Sequence, residues 1–179
     1  MRKVRLVILA LCSAVVFDSA ETTALAEQTD LLIGERSMGR VGLGMQQRDV
    51  LSRYSTGRIR KTVLLQEGYE QPAMEILDGK GAVLLTAEIR HDRIFRTRTM
   101  NPQLLTKSGL RVGQSFGDAK RRYGDPALTL DEDGLLAVYA LQGATLVLRF
   151  LPEPEWHPRY LTETTSIVEI LLVDPALAR

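Results

Sequence analysis

Thiols are all but absent from this sequence: Cys12 is the only cysteine among 179 residues. A disulfide within one chain is therefore excluded, as is the cysteine-rich zinc site of many small domains. Histidine is nearly as scarce. His91 and His157 stand in different loops and lack the close partner spacing of zinc motifs. No Gly-x-Ser-x-Gly nucleophile elbow occurs, and the nearest counterpart, Gly113-Gln114-Ser115, reads as the start of a capped helix. Neither a metal, a cofactor nor a catalytic residue follows from these motifs. A Ser-His-Asp set assembles only in space, so a hydrolase using His91 or His157 is kept as a second alternative.

Aromatic residues make up only 6 % of the chain, so the core is expected to be aliphatic, and the stacking platform of single-stranded nucleic-acid binders is missing. No sign of charge dominates. Residues 1–26 carry three basic and two acidic groups of the 23 and 22 in the chain, which leaves 20 of each sign in the remainder. Global attraction to nucleic acid or anionic lipid is not expected from that balance.

Long apolar runs are limited to one, Leu6–Phe17, which is 12 residues against the roughly 20 that a membrane-spanning helix needs. Arg2, Lys3 and Arg5 precede it and Ala24-Leu25-Ala26 follows, the pattern of a cleaved secretory signal. The sequence thus predicts export to the periplasm, cleavage after Ala26, and a mature chain without cysteine or transmembrane segment. Cys12 lies inside the run, preceded by Leu11 and followed by Val15-Val16-Phe17, so the context for lipid attachment is lacking.

What the chain does contain is an echo. A shift of 69 positions aligns Gly44 with Gly113, Asp49 with Asp118, Arg53 with Arg122 and Tyr54 with Tyr123. Residues 27–179 are accordingly expected to form one domain with an internal duplication, at about 39–100 and 106–173. In the first unit, Gln46–Tyr54 has apolar residues at helical spacing. Four β-rich runs follow, Ile59–Leu65, Ala73–Leu77, Ala82–Ile89 and Ile94–Met100, separated by Gly and Asp turn chemistry. In the second, Gly109–Val112 reads as a short strand. Ser115 opens a helix, with Asp118 at capping-box spacing and Gly124 and Pro126 as its stop. Strands are expected at Leu135–Leu141, Thr145–Phe150 and Ser166–Val173. The implied fold class is α+β: an antiparallel sheet built from two related helix-then-strands units, with the short helices packed on one face.

Gly39, Gly42 and Gly44 do not reproduce a phosphate-binding spacing and read as turns. Two stretches remain as candidate binding sites. The first is the basic cluster of Arg90, His91, Arg93, Arg96 and Arg98, where strand alternation puts Ile94, Arg96, Arg98 and Met100 on one face. Paired arginines can clamp a carboxylate or phosphate, or simply pair with Glu88, Glu70 or Glu75 on a solvated face. The second is the loop Pro152–Glu163, which carries Trp156, His157, Arg159 and Tyr160, residue types enriched as interface anchors.

The run Ser108-Gly109-Leu110-Arg111-Val112-Gly113, the strands at Ile94, Val147–Phe150 and Ile167–Leu171, and the Glu155-Trp156 pair resemble the RpoE-regulated envelope lipoproteins of Gram-negative bacteria, a family of unknown function. Similar helix-turn units occur in β-lactamase-inhibitor-like and outer-membrane assembly lipoproteins. The resemblance implies an envelope protein and transfers no catalytic or binding residue. The expected function is that of a soluble periplasmic, non-catalytic protein binding an envelope or macromolecular partner through Trp156 and the arginine strand. A small-anion or small-ligand module at Arg96 and Arg98 is the first alternative.

Overall fold

The computed structural model describes residues 30–66, 68–131, 134–150 and 161–178. Their dominant element is an eight-stranded antiparallel sheet. Its first four strands are β4 (Ile59–Gln66), β5 (Tyr69–Leu77), β6 (Val83–Arg90) and β7 (Arg93–Thr99). Its last four are β9 (Ala127–Asp131), β10 (Gly134–Leu141), β11 (Ala144–Phe150) and β12 (Glu169–Val173). The spatial order is β4-β5-β6-β7-β12-β11-β10-β9. Each set of four is thus a meander, and the two are joined where β7 meets β12, with Arg98 opposite Leu171.

Turn chemistry sets these hairpins. At the β5–β6 turn the Asp78 carboxylate accepts from the backbone N–H groups of Lys80 and Ala82 at 2.8 and 2.9 Å. At β6–β7 the two-residue link His91-Asp92 has φ of 48° and 62°, the left-handed pair that a tight hairpin of right-twisted strands requires.

Among the described residues a short helix precedes each meander: α1 (Gln47–Arg53), of seven residues, and α2 (Phe116–Tyr123), of eight. The capping box of α2 is present as the spacing predicts: Ser115 Oγ accepts from Asp118 N, and Asp118 accepts in return from Ser115 N at 3.1 Å. The chain before each helix is fastened by the same pair of backbone hydrogen bonds, in the first unit to the fourth strand itself and in the second to the residue Ile167 just ahead of it. Gly44 N donates to Ile94 O and Ile94 N to Met45 O, at 2.7 and 2.9 Å. Gly113 N donates to Ile167 O and Ile167 N to Gln114 O, both at 2.8 Å.

The core lies on one side of the large sheet. Met74, Ile76, Leu85, Ala87, Leu146, Leu148, Phe150, Ile170 and Leu172 point there, together with Val50 of α1 and Phe116 and Ala119 of α2. A second, four-stranded sheet packs into the same core. It is formed by β1 (Leu32–Ile33), β2 (Ser37–Met38), β3 (Val41–Gly42) and β8 (Leu105–Thr106), in the order β3-β2-β1-β8. Phe116 meets Phe150 edge-on at 5.7 Å, which seats α2 on β11.

The expected α+β class is overturned. About 50 % of the described residues are strand against 14 % helix, so this part of the protein is mostly β. The helices are too short to form a layer of their own, and much of what covers the large sheet is the small sheet. Residues Gly109–Val112 form no strand; the short strand lies earlier, at Leu105–Thr106, because the backbone at Gly109 turns with φ of 80°. The last strand starts at Glu169 rather than Ser166, and β9 carries no counterpart in the predicted strands.

Candidate functional site

The side of the large sheet turned away from the core is polar. Register places Gln66 and Arg60 of β4, Glu75 of β5, Thr86 and Glu88 of β6, Arg96 and Arg98 of β7, Glu169 of β12 and Arg149 of β11 on it. Four buried apolar side chains, Ala73, Phe95, Val147 and Leu171, share this face and stand outside the contiguous core.

A β-bulge decides which arginines meet. Glu88 pairs with Arg96 but Ile89 pairs with Ile94, so Phe95 is an extra residue. The bulge sends Ile94 into the core, fully buried, while Arg96 and Arg98 stay on the polar face. The strict alternation expected from the sequence, with Ile94 beside Arg96, fails for this reason. Phe95, only 4 % exposed, lies against the guanidinium of Arg90 at 4.5 Å and that of Arg96 at 5.4 Å, a double cation–π contact. Arg90 also donates to the Leu177 carbonyl at 3.1 Å.

Glu88 is the hub. Its carboxylate is completely buried and accepts from Arg96 Nε at 2.9 Å and from a second Arg96 nitrogen. Arg96 also donates to Gln66. Arg98 sits between two carboxylates, Nε 3.7 Å from Glu88 and Nη1 3.5 Å from Glu169. Glu169 is 1 % exposed and faces Arg149 Nη1 at 3.1 Å on its other side, and Arg149 reaches Asp131 at 3.0 Å. Two directly opposed cross-strand pairs, Glu88 with Arg96 and Arg149 with Glu169, thus carry opposite polarity in the two meanders. Burial pushes the Glu169 carboxyl above its ordinary range, and the facing Arg149, Arg98 and Arg96 offset this only in part.

Among the described residues no hydrogen bond engages the Arg98 guanidinium. Both carboxylates attract it across gaps longer than a hydrogen bond. It lines a groove of 420 Å³ whose other walls include Glu75, Thr86, Met100, Asn101 and Pro102, with Glu169 at the inner side. Met100 is 67 % exposed at its mouth.

Of the residues singled out in the sequence, Arg96 and Arg98 share one site, and Arg90 is drawn to its margin through Phe95. Trp156, His157, Arg159 and Tyr160 lie outside the described residues. His91 occupies the exposed β6–β7 turn, away from the groove lining. Glu169 and Arg149 were missed, since only the pairing of β11 with β12 and of β12 with β7 brings them to the arginine strand. Among the described residues no group of His, Cys, Asp and Glu is arranged to hold a metal ion, and no helix is long and apolar enough to cross a membrane.

No family model matches the chain, and no curated protein matches it. Among solved structures it is similar to the uncharacterized protein yfeY from Escherichia coli, with a TM-score of 0.56 and 14 % identity, over 79 % of this chain and 98 % of that one. At that identity the likeness shows a shared fold and nothing further. An extracellular protein containing an SCP domain from Bacillus anthracis aligns at a TM-score of 0.42 and 9 % identity, over 94 % of this chain and 50 % of that one, too distant to carry an argument.

Proposed function

We propose that this chain is an exported, non-catalytic binding protein of the bacterial envelope, related to the RpoE-regulated lipoproteins, which takes a macromolecular partner on the polar face of its large sheet. One observation carries this: Arg98 lines a groove of 420 Å³ and, among the described residues, makes no hydrogen bond, only two longer ion pairs to Glu88 and Glu169. Five N–H groups in a fixed fork are a strong recognition element.

The surroundings of Arg98 select the class of acceptor. Glu75 and Glu169 line the groove and Glu88 stands behind it, so a free anion entering there meets carboxylates as well as the guanidinium. A neutral carbonyl accepts the same hydrogen bonds without like-charge repulsion, and polypeptide main chain offers such carbonyls in rows. Leu84, Met100 and Pro102 add apolar wall for the partner's side chains. The small-anion alternative has weaker support, because Arg96 is already held by Glu88 and Gln66.

The test is an affinity capture from detergent-free envelope extract with wild-type, Arg98→Gln and Arg48→Gln proteins, quantified by mass spectrometry. Arg48 is an exposed arginine on α1 and serves as control. Partners retained by wild type and by Arg48→Gln but lost with Arg98→Gln are expected. An identical set on all three proteins overturns the proposal. A rise in melting temperature with small anions, abolished by Arg98→Gln, would favour the anion alternative instead. The mass of the mature chain tests export: cleavage after Ala26 is expected, and a cytoplasmic product retaining Met1 contradicts it.

A further inference from the structure

The sheet order ends at β4, so one row of its backbone N–H and C=O groups has no strand partner among the described residues. Sheet edges of this kind are ordinarily protected by proline, by a bulge, by short length or by charge at the centre. β4 is neither short, bulged nor broken by proline, and its charged residues, Arg60 and Lys61, stand toward one end. It runs eight residues in unbroken register with β5, and its centre is Thr62-Val63-Leu64-Leu65. Val63 is 56 % and Leu65 77 % exposed, both on the core-side face of the sheet. The other edge, β9, spans only five residues and ends on Asp131, an ion-pair partner of Arg149.

We propose that two copies of this chain associate through β4, antiparallel about a two-fold axis centred on Val63, so that their large sheets become one continuous sheet. The sequence of β4 fits its own inverted copy. With Val63 opposite Val63 of the other copy, Leu65 falls opposite Lys61 and covers its aliphatic stem; on the polar face, Thr62 meets Leu64 and Arg60 meets Gln66. Like charges never oppose one another. Glu70 lies directly across from Leu65 on β5, so each Lys61 ammonium is directed past Leu65 toward the Glu70 carboxylate of the other copy. Charge complementarity and the matched apolar centre single out a second copy over a strand of unrelated sequence. The contact is closed and isologous, as a two-fold demands, and of the small class that dissociates on dilution.

The test uses sedimentation velocity and light scattering on the exported chain over about 1–500 µM, a range chosen for an edge contact of modest affinity. Wild type is expected to double in mass with rising concentration. Val63→Lys and Val63→Asp are each expected to remain monomeric, since like charges then face each other across the axis. Val63 is largely exposed, so both variants should fold, which circular dichroism and melting curves verify. An equimolar mixture of the two should recover the dimer through Lys–Asp pairing. A wild type that stays monomeric throughout, including one that captures extended peptides from other proteins, overturns the proposal. So does a dimer that Val63→Lys leaves intact.

Discussion

Replacing Glu88 with glutamine keeps the shape of the side chain and removes its charge. In the native protein this carboxylate is fully buried and is an acidic partner of two guanidinium groups, at 2.9 Å from Arg96 and 3.7 Å from Arg98. Breaking a buried pair by deleting one charge costs about 3–5 kcal/mol, because the partner remains buried without compensation. Two facts reduce that figure here. The side chains of Arg96 and Arg98 are 22 % and 25 % exposed, which leaves partial hydration, and Glu169 still faces Arg98. The expected loss is therefore about 2–3 kcal/mol, a fall in melting temperature of about 4–12 °C for a domain of this size. Urea denaturation monitored by circular dichroism measures it, with Arg60→Gln as reference. Arg60 pairs with Glu75 from a position 59 % exposed, and loss of such a surface pair costs under about 1 kcal/mol. A double-mutant cycle with Arg96→Met should return a coupling well above that of the surface pair. If Glu88→Gln costs no more than Arg60→Gln, the polar face is solvated rather than buried, and Glu88 does not organise it.

Three further outcomes follow from the same structure. Glu169, raised by burial, disfavours the folded state once ionised, so its penalty is fully present above its folded pKa and vanishes below the ordinary carboxyl value; the stability of wild type relative to Glu169→Gln should rise as pH falls through that window, and a difference independent of pH would contradict it. Ser115→Ala should cost about 1 kcal/mol by removing the α2 cap. Asp118, held down to about 2 chiefly by the Ser115 backbone N–H and then by its hydroxyl, should move up in the same variant by NMR titration; the stabilisation it gives is present above the usual carboxyl pKa and is lost as pH falls toward 2. The Tyr139 hydroxyl is buried without a hydrogen-bond partner among the described residues, and burial raises its pKa to about 12, so Tyr139→Phe should leave the melting temperature unchanged or raise it. A clear fall would reveal a hidden partner.

Local chemistry was the legible part of this fold. Ser115 and Asp118 announce a cap, Gly124 a stop with φ of 81°, and His91-Asp92 a tight turn, because each acts within a few residues. β9 was illegible for the opposite reason: Leu128 and Leu130 are 41 % and 49 % exposed, and an edge strand that buries nothing leaves no alternating pattern to read. The bulge at Phe95 has no signature in residue type, yet it alone separates Ile94 from the arginines. Glu88 was one of three acids within reach of Arg96 in the sequence, and only the register of β6 against β7 selects it. The α+β expectation fails because the two helices carry strong local signals yet span only seven and eight residues.

The seam between β7 and β12 has a consequence for the order in which the molecule can be made. β7 is complete at Thr99, but its neighbour does not begin until Glu169, after β8, α2 and β9 to β11 have been made. During synthesis the first meander must wait with a bare inner edge bearing Arg96 and Arg98, because the closing strand is the last element of the second meander. Folding that proceeded step by step from the ribosome would therefore hold an adhesive intermediate until β12 was made. Release of the finished chain before folding, as passage through a membrane in unfolded form provides, delivers both edges together and lets the seam close at once.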